Sequence, residues 1–322
     1  MIDIVLATYN GEAYLAEQLR SIQRNNHYHQ WIEHIIVSDD GSNDNTRAIV
    51  EQFKNQDAKI IWLKNTNQIK GPKSNFDFGI MHSKADYIML CDQDDIWLPT
   101  KIETLVQAIK GVEQKLGNQT PVLVFSDLQV VDQNLNEICP SYFKLKNISK
   151  DWHLKFEQLS QQNVVSGCSL ICNRALINKA LPIPNDAYMH DWWLAMVASR
   201  CGHIAFIDQG LTQYRQHNNN NIGANKRTKL DLCQRFFYHL EQFQNSIEQV
   251  IKQANAFKAF ELENNLPVNN TIEALATIEQ QNRLQRIKLL MNKTITRSHF
   301  AGRFALLIVL LKMEVKHTKI SD

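Results

Sequence analysis

The stretch Asp86–Thr100, DYIMLCDQDDIWLPT, decides how the rest of the chain reads. Its apolar run ends abruptly in Asp-Gln-Asp-Asp, and Pro99 then opens a helix expected to reach about Gly111. A short run without polar alternation suits a strand covered on both faces. The pattern repeats outward. Ile2–Ala7 leads into Thr8-Tyr9-Asn10 and a helical stretch from about Glu12 to Arg24, and Ile32–Ser38 leads into Asp39-Asp40-Gly41-Ser42. A helix from Asn43 or Asp44 to about Phe53, a strand over Lys59–Leu63, a helix capped by Ser74 through Met81 and a strand over Val122–Ser126 complete the series. Such alternation predicts an α/β fold with a mostly parallel central sheet flanked by helices. Ligands in these sheets bind beyond the carboxyl ends of the strands, where the three acidic or polar loops converge.

Further along, Ser166–Cys172 reads as a strand, His190–Arg200 as a helix and His203–Ile207 as another strand, followed by a polar stretch from Gln213 to Asn221. Beyond Lys226 the pattern is helical, interrupted at Pro267. The expected organisation is a catalytic domain over 1–225 and a helical extension over 226–322. The chain has 322 residues, with 44% hydrophobic and 21% charged, an ordinary globular balance that excludes wholesale disorder. Net charge is only +2, too little to indicate a nucleic-acid partner. Residues 281–322 nevertheless carry nine Lys/Arg against two Asp/Glu, leaving 26 against 31 for the rest. An acidic body with a basic tail results.

The six cysteines lie scattered, and Cys168 and Cys172 have no second close pair, which argues against a zinc site. No secretory leader is recognisable, and the longest purely apolar run, Phe304 to Leu311, is far short of the ~20 residues a membrane-spanning helix needs. The expectation is a reduced, cytoplasmic protein. From Leu284 onward, apolar residues at 284, 287, 291, 295, 300, 304, 307, 308, 311 and 315 approach helical spacing among many Lys and Arg. That suits either a helix lying on an anionic membrane or one packed on the domain with a solvated basic face.

Three acidic sites carry chemistry. Asp92-Gln93-Asp94 places carboxylates at i and i+2 after a buried strand, where they can hold Mg²⁺ or Mn²⁺ against a diphosphate. The bland alternative is an acidic turn in which Asp95 caps the next helix. Asp39-Asp40 can accept hydrogen bonds from a base and a ribose, or simply form a turn. Asp191, in the first turn of a helix beside Trp192 and Trp193, suits a general base. His217 can complete a metal or phosphate site. Neither GxGxxG nor GxxxxGK[ST] is present, so dinucleotide and P-loop readings lack their phosphate cradle.

VLATYNGEAYL, VSDDGSNDNT, CDQDDIWLPTKIE, SGCSLICNRALI, MHDWW and YRQHNNN, in that order, resemble the family-2 inverting glycosyltransferases of GT-A fold. The likeness spans about residues 1–225 and is nearest to the rhamnosyltransferase-like group of bacterial polysaccharide assembly. It implies a donor pocket lined by Thr8, Tyr9, Asn10, Glu12, Asp39 and Asp40, with Asp92 and Gln93 acting on the donor. Asp92, Asp94 and His217 would hold the metal, Asp191 would be the base, and Gly167, Cys168 and Trp192 would lie on the acceptor side. It also implies a dTDP- or UDP-linked sugar donor and a glycan or lipid-linked acceptor, reached on the cytoplasmic face of the inner membrane. QYRQH lacks the Trp of processive synthases, which favours single addition. A sugar-phosphate nucleotidyltransferase, or a binding module without catalysis, is the alternative.

Overall fold

A computed structural model describes residues 1–217 and 236–315. Its strands are β1 (Ile2–Thr8), β2 (Ile32–Asp39), β3 (Ile60–Lys64), β4 (Tyr87–Asp92), β5 (Ile96–Trp97), β6 (Val122–Val131), β7 (Glu137–Cys139), β8 (Leu170–Asn173) and β9 (His203–Arg215). Among the described residues these form one sheet in the order β3-β2-β1-β4-β8-β6-β9-β5, with β7 on β6. The four strands β3, β2, β1 and β4 are parallel, as the strand–helix alternation predicts. β8 breaks the rule. It runs antiparallel to both β4 and β6, while β6 and β9 are again parallel.

The strands read as apolar runs because both faces are covered. Ile4, Val5 and Leu6 of β1 and Ile88 to Cys91 of β4 are fully buried. Leu15, Leu19 and Ile22 of the helix Leu15–Gln23, and Ile102, Leu105 and Ile109 of the helix Lys101–Leu116, pack on one face. Each such side chain contributes roughly 1.5–3 kcal/mol. Several boundaries differ from the sequence reading. The helix expected to start at Ser74 runs Pro72–His82, because Gly71 (φ +113) turns the chain and Pro72 takes the first turn, where its missing N–H costs nothing. The helix after Pro99 passes through Gly111 and stops at Gly117 (φ +86). Only Leu170–Asn173 of the stretch 166–172 is strand; Gly167–Ser169 is a single 3₁₀ turn. Gln213 to Arg215, expected in a polar loop, extend β9, and 218–221 lie outside the described residues.

Two compact units are present. The first comprises Met1–Lys150, Val165–Ile183 and the chain from Met189 through β9. The second gathers Asp151–Val164, Pro184–Tyr188 and the helices after residue 236. Its core is formed by Ile247, Val250, Phe257, Ile272, Leu306 and Leu310. Arg286 is completely buried there and donates to the carbonyls of Ile278, Glu279, Leu310, Met313 and Glu314. A cation placed on carbonyls at helix ends is favoured by the helix dipole. The basic tail forms two helices, Arg283–Met291 and Phe300–Lys312, with Leu306, Val309 and Leu310 inward. Leu284, Met291, Phe300, Phe304 and Leu311 of the apolar series face outward instead. No helix among the described residues is long and apolar enough to cross a membrane.

The carboxyl ends of β1 and β2 are stitched by Asn75. Its amide donates to the Thr8 and Ser38 carbonyls (3.1 and 2.9 Å) and its oxygen accepts from Ser38 Oγ (2.7 Å). Asn75→Leu, similar in size, leaves buried acceptors unpaired and is expected to cost about 2–4 kcal/mol, read by urea unfolding. A loss below about 0.5 kcal/mol removes this residue from the framework.

Candidate active site

The first part of the site is the rim of β1 and β2. The Gln93 side chain closes it: its oxygen accepts from Thr8 Oγ1 (2.7 Å) and the Tyr9 amide (2.9 Å), and its amide donates to the Tyr9 carbonyl (3.1 Å). Asn10 adopts φ +49, and its amide donates to Ser42 Oγ while its side chain accepts from the Asn43 amide. Gly11 has room for no side chain, since a Cβ there would lie 2.5 Å from Gln93 Oε1. Glu12 turns toward Asn45, accepting from its amide and its side chain. Asp39 accepts from the Gly41 and Ser42 amides and from Ser42 Oγ. Asp40 reaches the other way, to Asn65 Nδ2 (2.9 Å) and the Gly71 amide (2.7 Å), with Lys70 Nζ at 3.6 Å. Thus Thr8, Tyr9, Asn10, Gln93 and Asp39 share one hydrogen-bonded rim.

The second part is a concentration of negative charge after β4. Asp94 Oδ2 lies 2.8 Å from His217 Nε2, and both side chains are little exposed (15% and 11%). His217 stacks on Tyr14 at 4.9 Å between ring centroids. Arg215 lies over the same ring and donates to the Asp94 and Gln133 carbonyls and to Glu17. Asp95 is fully buried and accepts from the Arg215 amide. It is not the helix cap that the bland reading required, because Thr100 occupies that position. Asp92, Asp95 and the Cys168 thiol offer ligand atoms within 4.8 Å of one another.

Burial, then repulsion from Asp94 and Asp191, pushes the Asp92 carboxyl up to about 7. Removing water from several like charges leaves a strong demand for a cation. Asp92 and Asp94 supply hard oxygen donors of the kind Mg²⁺ or Mn²⁺ takes, while Asp94 and His217 are paired with each other and the ligand atoms that lie together are those of Asp92, Asp95 and Cys168.

Asp191 sits in the first turn of the helix His190–Cys201. The Gly167 amide donates to its Oδ2 (2.9 Å) and the Trp192 amide to its Oδ1 (2.6 Å). The 3₁₀ turn arrives here because β8 opposes β4, with Met89 facing Ile171 and Ile88 facing Cys172. Extending that register brings Gly167 and Cys168 beside the end of β4. Gly167 has to be small: a Cβ would lie 2.9 Å from His190 Nε2. Trp192 is buried, and Trp193 donates from its indole to the Ala180 carbonyl.

The sequence-derived residues Asp92, Asp94, His217, Asp191, Gly167 and Cys168 are therefore grouped in one neighbourhood. Glu12 is instead turned onto Asn45, which precedes the helix Thr46–Lys54. Asn75, Lys101, Tyr14 and Arg215 belong to the same edge and were missed. Lys101 and Arg215 read as ordinary surface cations, and only their apolar neighbours, Ile102 and Leu211, hint at burial.

The sequence profile described as Glycosyl transferase family 2 matches residues 3–158. The dTDP-rhamnosyl transferase RfbG of Shigella flexneri is 31% identical over 259 residues, covering 73% of this chain and 81% of that protein. The chain belongs to glycosyl transferase family 2. Another family relative, the glycosyltransferase GlyG of Streptococcus pneumoniae, is 28% identical over 244 residues, covering 72% and 75% of the two chains. Two solved structures share the fold at low identity. S. aureus TarS 1-349 in complex with UDP-GlcNAc superposes with a TM-score of 0.55 at 15% identity, covering 96% of this chain and 90% of that one. The mannosyltransferase PcManGT of Pyrobaculum calidifontis, in complex with GDP-Man and Mn²⁺, gives 0.56 at 14% identity, covering 96% and 85%. The family-2 chain is a glycosyltransferase of GT-A fold, and the nucleotidyltransferase and non-catalytic alternatives give way.

His190 supplies a pH test. Its ring is buried against Phe76 (4.0 Å), both nitrogens lack hydrogen-bond partners among the described residues, and burial lowers its pKa to about 3 from 6.5. The folded state then binds fewer protons than the unfolded chain between these values, so this contribution is complete above pH 6.5 and fades as pH falls. Relative to His190→Leu, the wild type is expected to lose on the order of a few kcal/mol between pH 7 and pH 4. Parallel stability–pH curves for the two proteins refute it.

Proposed function

We propose that this glycosyltransferase is an inverting, non-processive enzyme. It transfers a sugar, with rhamnose the first candidate, from a dTDP- or UDP-linked donor to a hydroxyl of a glycan or lipid-linked acceptor in bacterial surface polysaccharide synthesis. The observation that carries the reading is Asp191. It is a single carboxylate held by two amides, close enough to Asp92 to raise the latter's carboxyl. One base on the face opposite the leaving group suffices for direct displacement. Asp191 takes the acceptor hydroxyl proton as that oxygen bonds to the anomeric carbon, and the bond to the nucleoside diphosphate breaks on the other side.

Asp92, Asp94 and His217 are the residues that would hold Mg²⁺ or Mn²⁺, which would neutralise charge on the departing diphosphate. Thr8, Tyr9, Asn10 and Glu12 would line the donor pocket with Asp39 and Asp40, and Gln93 would keep its mouth in shape. Gly167, Cys168 and Trp192 would stand on the acceptor side. The rhamnosyl donor named for the Shigella relative, and the nucleotide sugars and Mn²⁺ bound by the two structural neighbours, support this reading.

Asp191→Asn is expected to retain Mn²⁺-dependent binding of UDP or dTDP within about threefold while turnover falls by about 10²–10⁴. Asp94→Ala is expected to abolish the metal dependence of nucleotide-induced thermal stabilisation. Equal stabilisation of the wild type with and without Mn²⁺ withdraws the metal assignment.

The outward tail residues support a peripheral position on the cytoplasmic face of the inner membrane. Phe300 (79% exposed) and Phe304 lie one turn apart on one helix, with Arg303 exposed between them and Lys312 exposed at its end. Aromatic and basic side chains together fit an anionic lipid surface better than water. The double variant Phe300→Ser, Phe304→Ser is expected to lower flotation with phosphatidylglycerol vesicles several-fold without changing Tm. Unchanged flotation discards the membrane role.

A further inference from the structure

Lys101 is the first residue of its helix and has no exposed surface. Both circumstances are unfavourable, because burial strips water from the ammonium and a helix N-terminus repels cations. An apolar residue of similar length would avoid both penalties. Yet the ammonium is fully engaged. It donates to the Cys168 carbonyl (2.5 Å) and Thr212 Oγ1 (2.8 Å), and lies 3.7 Å from the centroid of the Trp97 ring. Thr212 is held in place because Trp97 of β5 pairs with it in β9. Asp92 and Asp95 are near enough for their charges to act on the same ammonium.

The Cys168 carbonyl belongs to the turn Gly167–Ser169, whose Gly167 amide holds Asp191. One three-residue turn therefore has its carbonyl fixed by Lys101 and its amide presented to the proposed base. We propose that Lys101 is a positioning residue for sugar transfer, a built-in cation that fixes this turn beneath Asp191. The inference rests on Asp191 being the base.

The test uses the full chain with dTDP-rhamnose and UDP-glucose as donors, following nucleoside-diphosphate release. Asp191→Asn is assayed alongside. Lys101→Ala removes the equivalent of one propylamine molecule. The expected result is a fall in kcat of at least 30-fold, donor KM and Mn²⁺–UDP affinity within about threefold of wild type, and partial recovery of kcat with 1-propylamine but not 1-propanol. A merely space-filling side chain would be restored by both additives or neither. Thr212→Val, which keeps the shape but removes one acceptor of Lys101 and the long hydroxyl bond to the Cys168 carbonyl (3.4 Å), is expected to lower kcat three- to tenfold, and it decides the matter if Lys101→Ala does not fold. Full turnover in Thr212→Val, or recovery with propanol, overturns the proposal. Retained turnover in Asp191→Asn instead overturns the assignment of the base and leaves the Lys101 result to be read separately.

Discussion

Negative charge gathered in a dry place is the constraint around which the catalytic unit is organised. Asp92, Asp94, Asp95 and Asp191 meet where the sheet ends, Asp95 and Asp191 buried and the other two little exposed. At the ~4 Å separations typical of such clusters, like charges repel by several kcal/mol at an effective dielectric near 20. Their burial is tolerable only with compensation. Arg215 and the buried Lys101 supply part of it as fixed cations, and backbone amides supply more by pointing at Asp95 and Asp191. What is left uncompensated is what the proposed divalent ion would answer.

This explains why so much of the edge is made of side chains holding other side chains. Tyr14 is sandwiched against His217 and Arg215, and Gln93 ties the end of β1 to the loop after β4. Such groups need never touch substrate. In the proposed reaction they would set the positions of those that do, and a shift of about 1 Å in them would be costly to a reaction that depends on alignment.

The parallel half of the fold was legible because β1, β2 and β4 carry apolar runs, residues 4–7, 35–37 and 87–91, each leading into a polar loop. The acidic loops were legible for the same reason. The direction of β8 was not, since Leu170, Ile171 and Cys172 carry no mark of orientation, and Gly167–Ser169 looks like the beginning of the same strand. The extension of β9 through Gln213 and Tyr214 was hidden by its polar side chains. Lys101 was invisible because a lysine's burial depends on partners, Cys168 and Thr212, that lie far away in sequence. In the tail, periodicity at 284, 291, 300, 304 and 311 correctly indicated helices. It did not indicate which face turns inward, and Leu306, Val309 and Leu310 form the packed side instead.

The reversal of β8 has a topological result. In a stack of parallel strands, only the segments that leave a strand reach the working edge; those that enter arrive at the opposite end. Turning β8 around makes an entering segment land among the leaving ones, which is how Gly167 and Cys168 come to stand next to Asp92. One residue added or removed between Ser166 and Leu170 would rotate the turn and misdirect both its amide and its carbonyl.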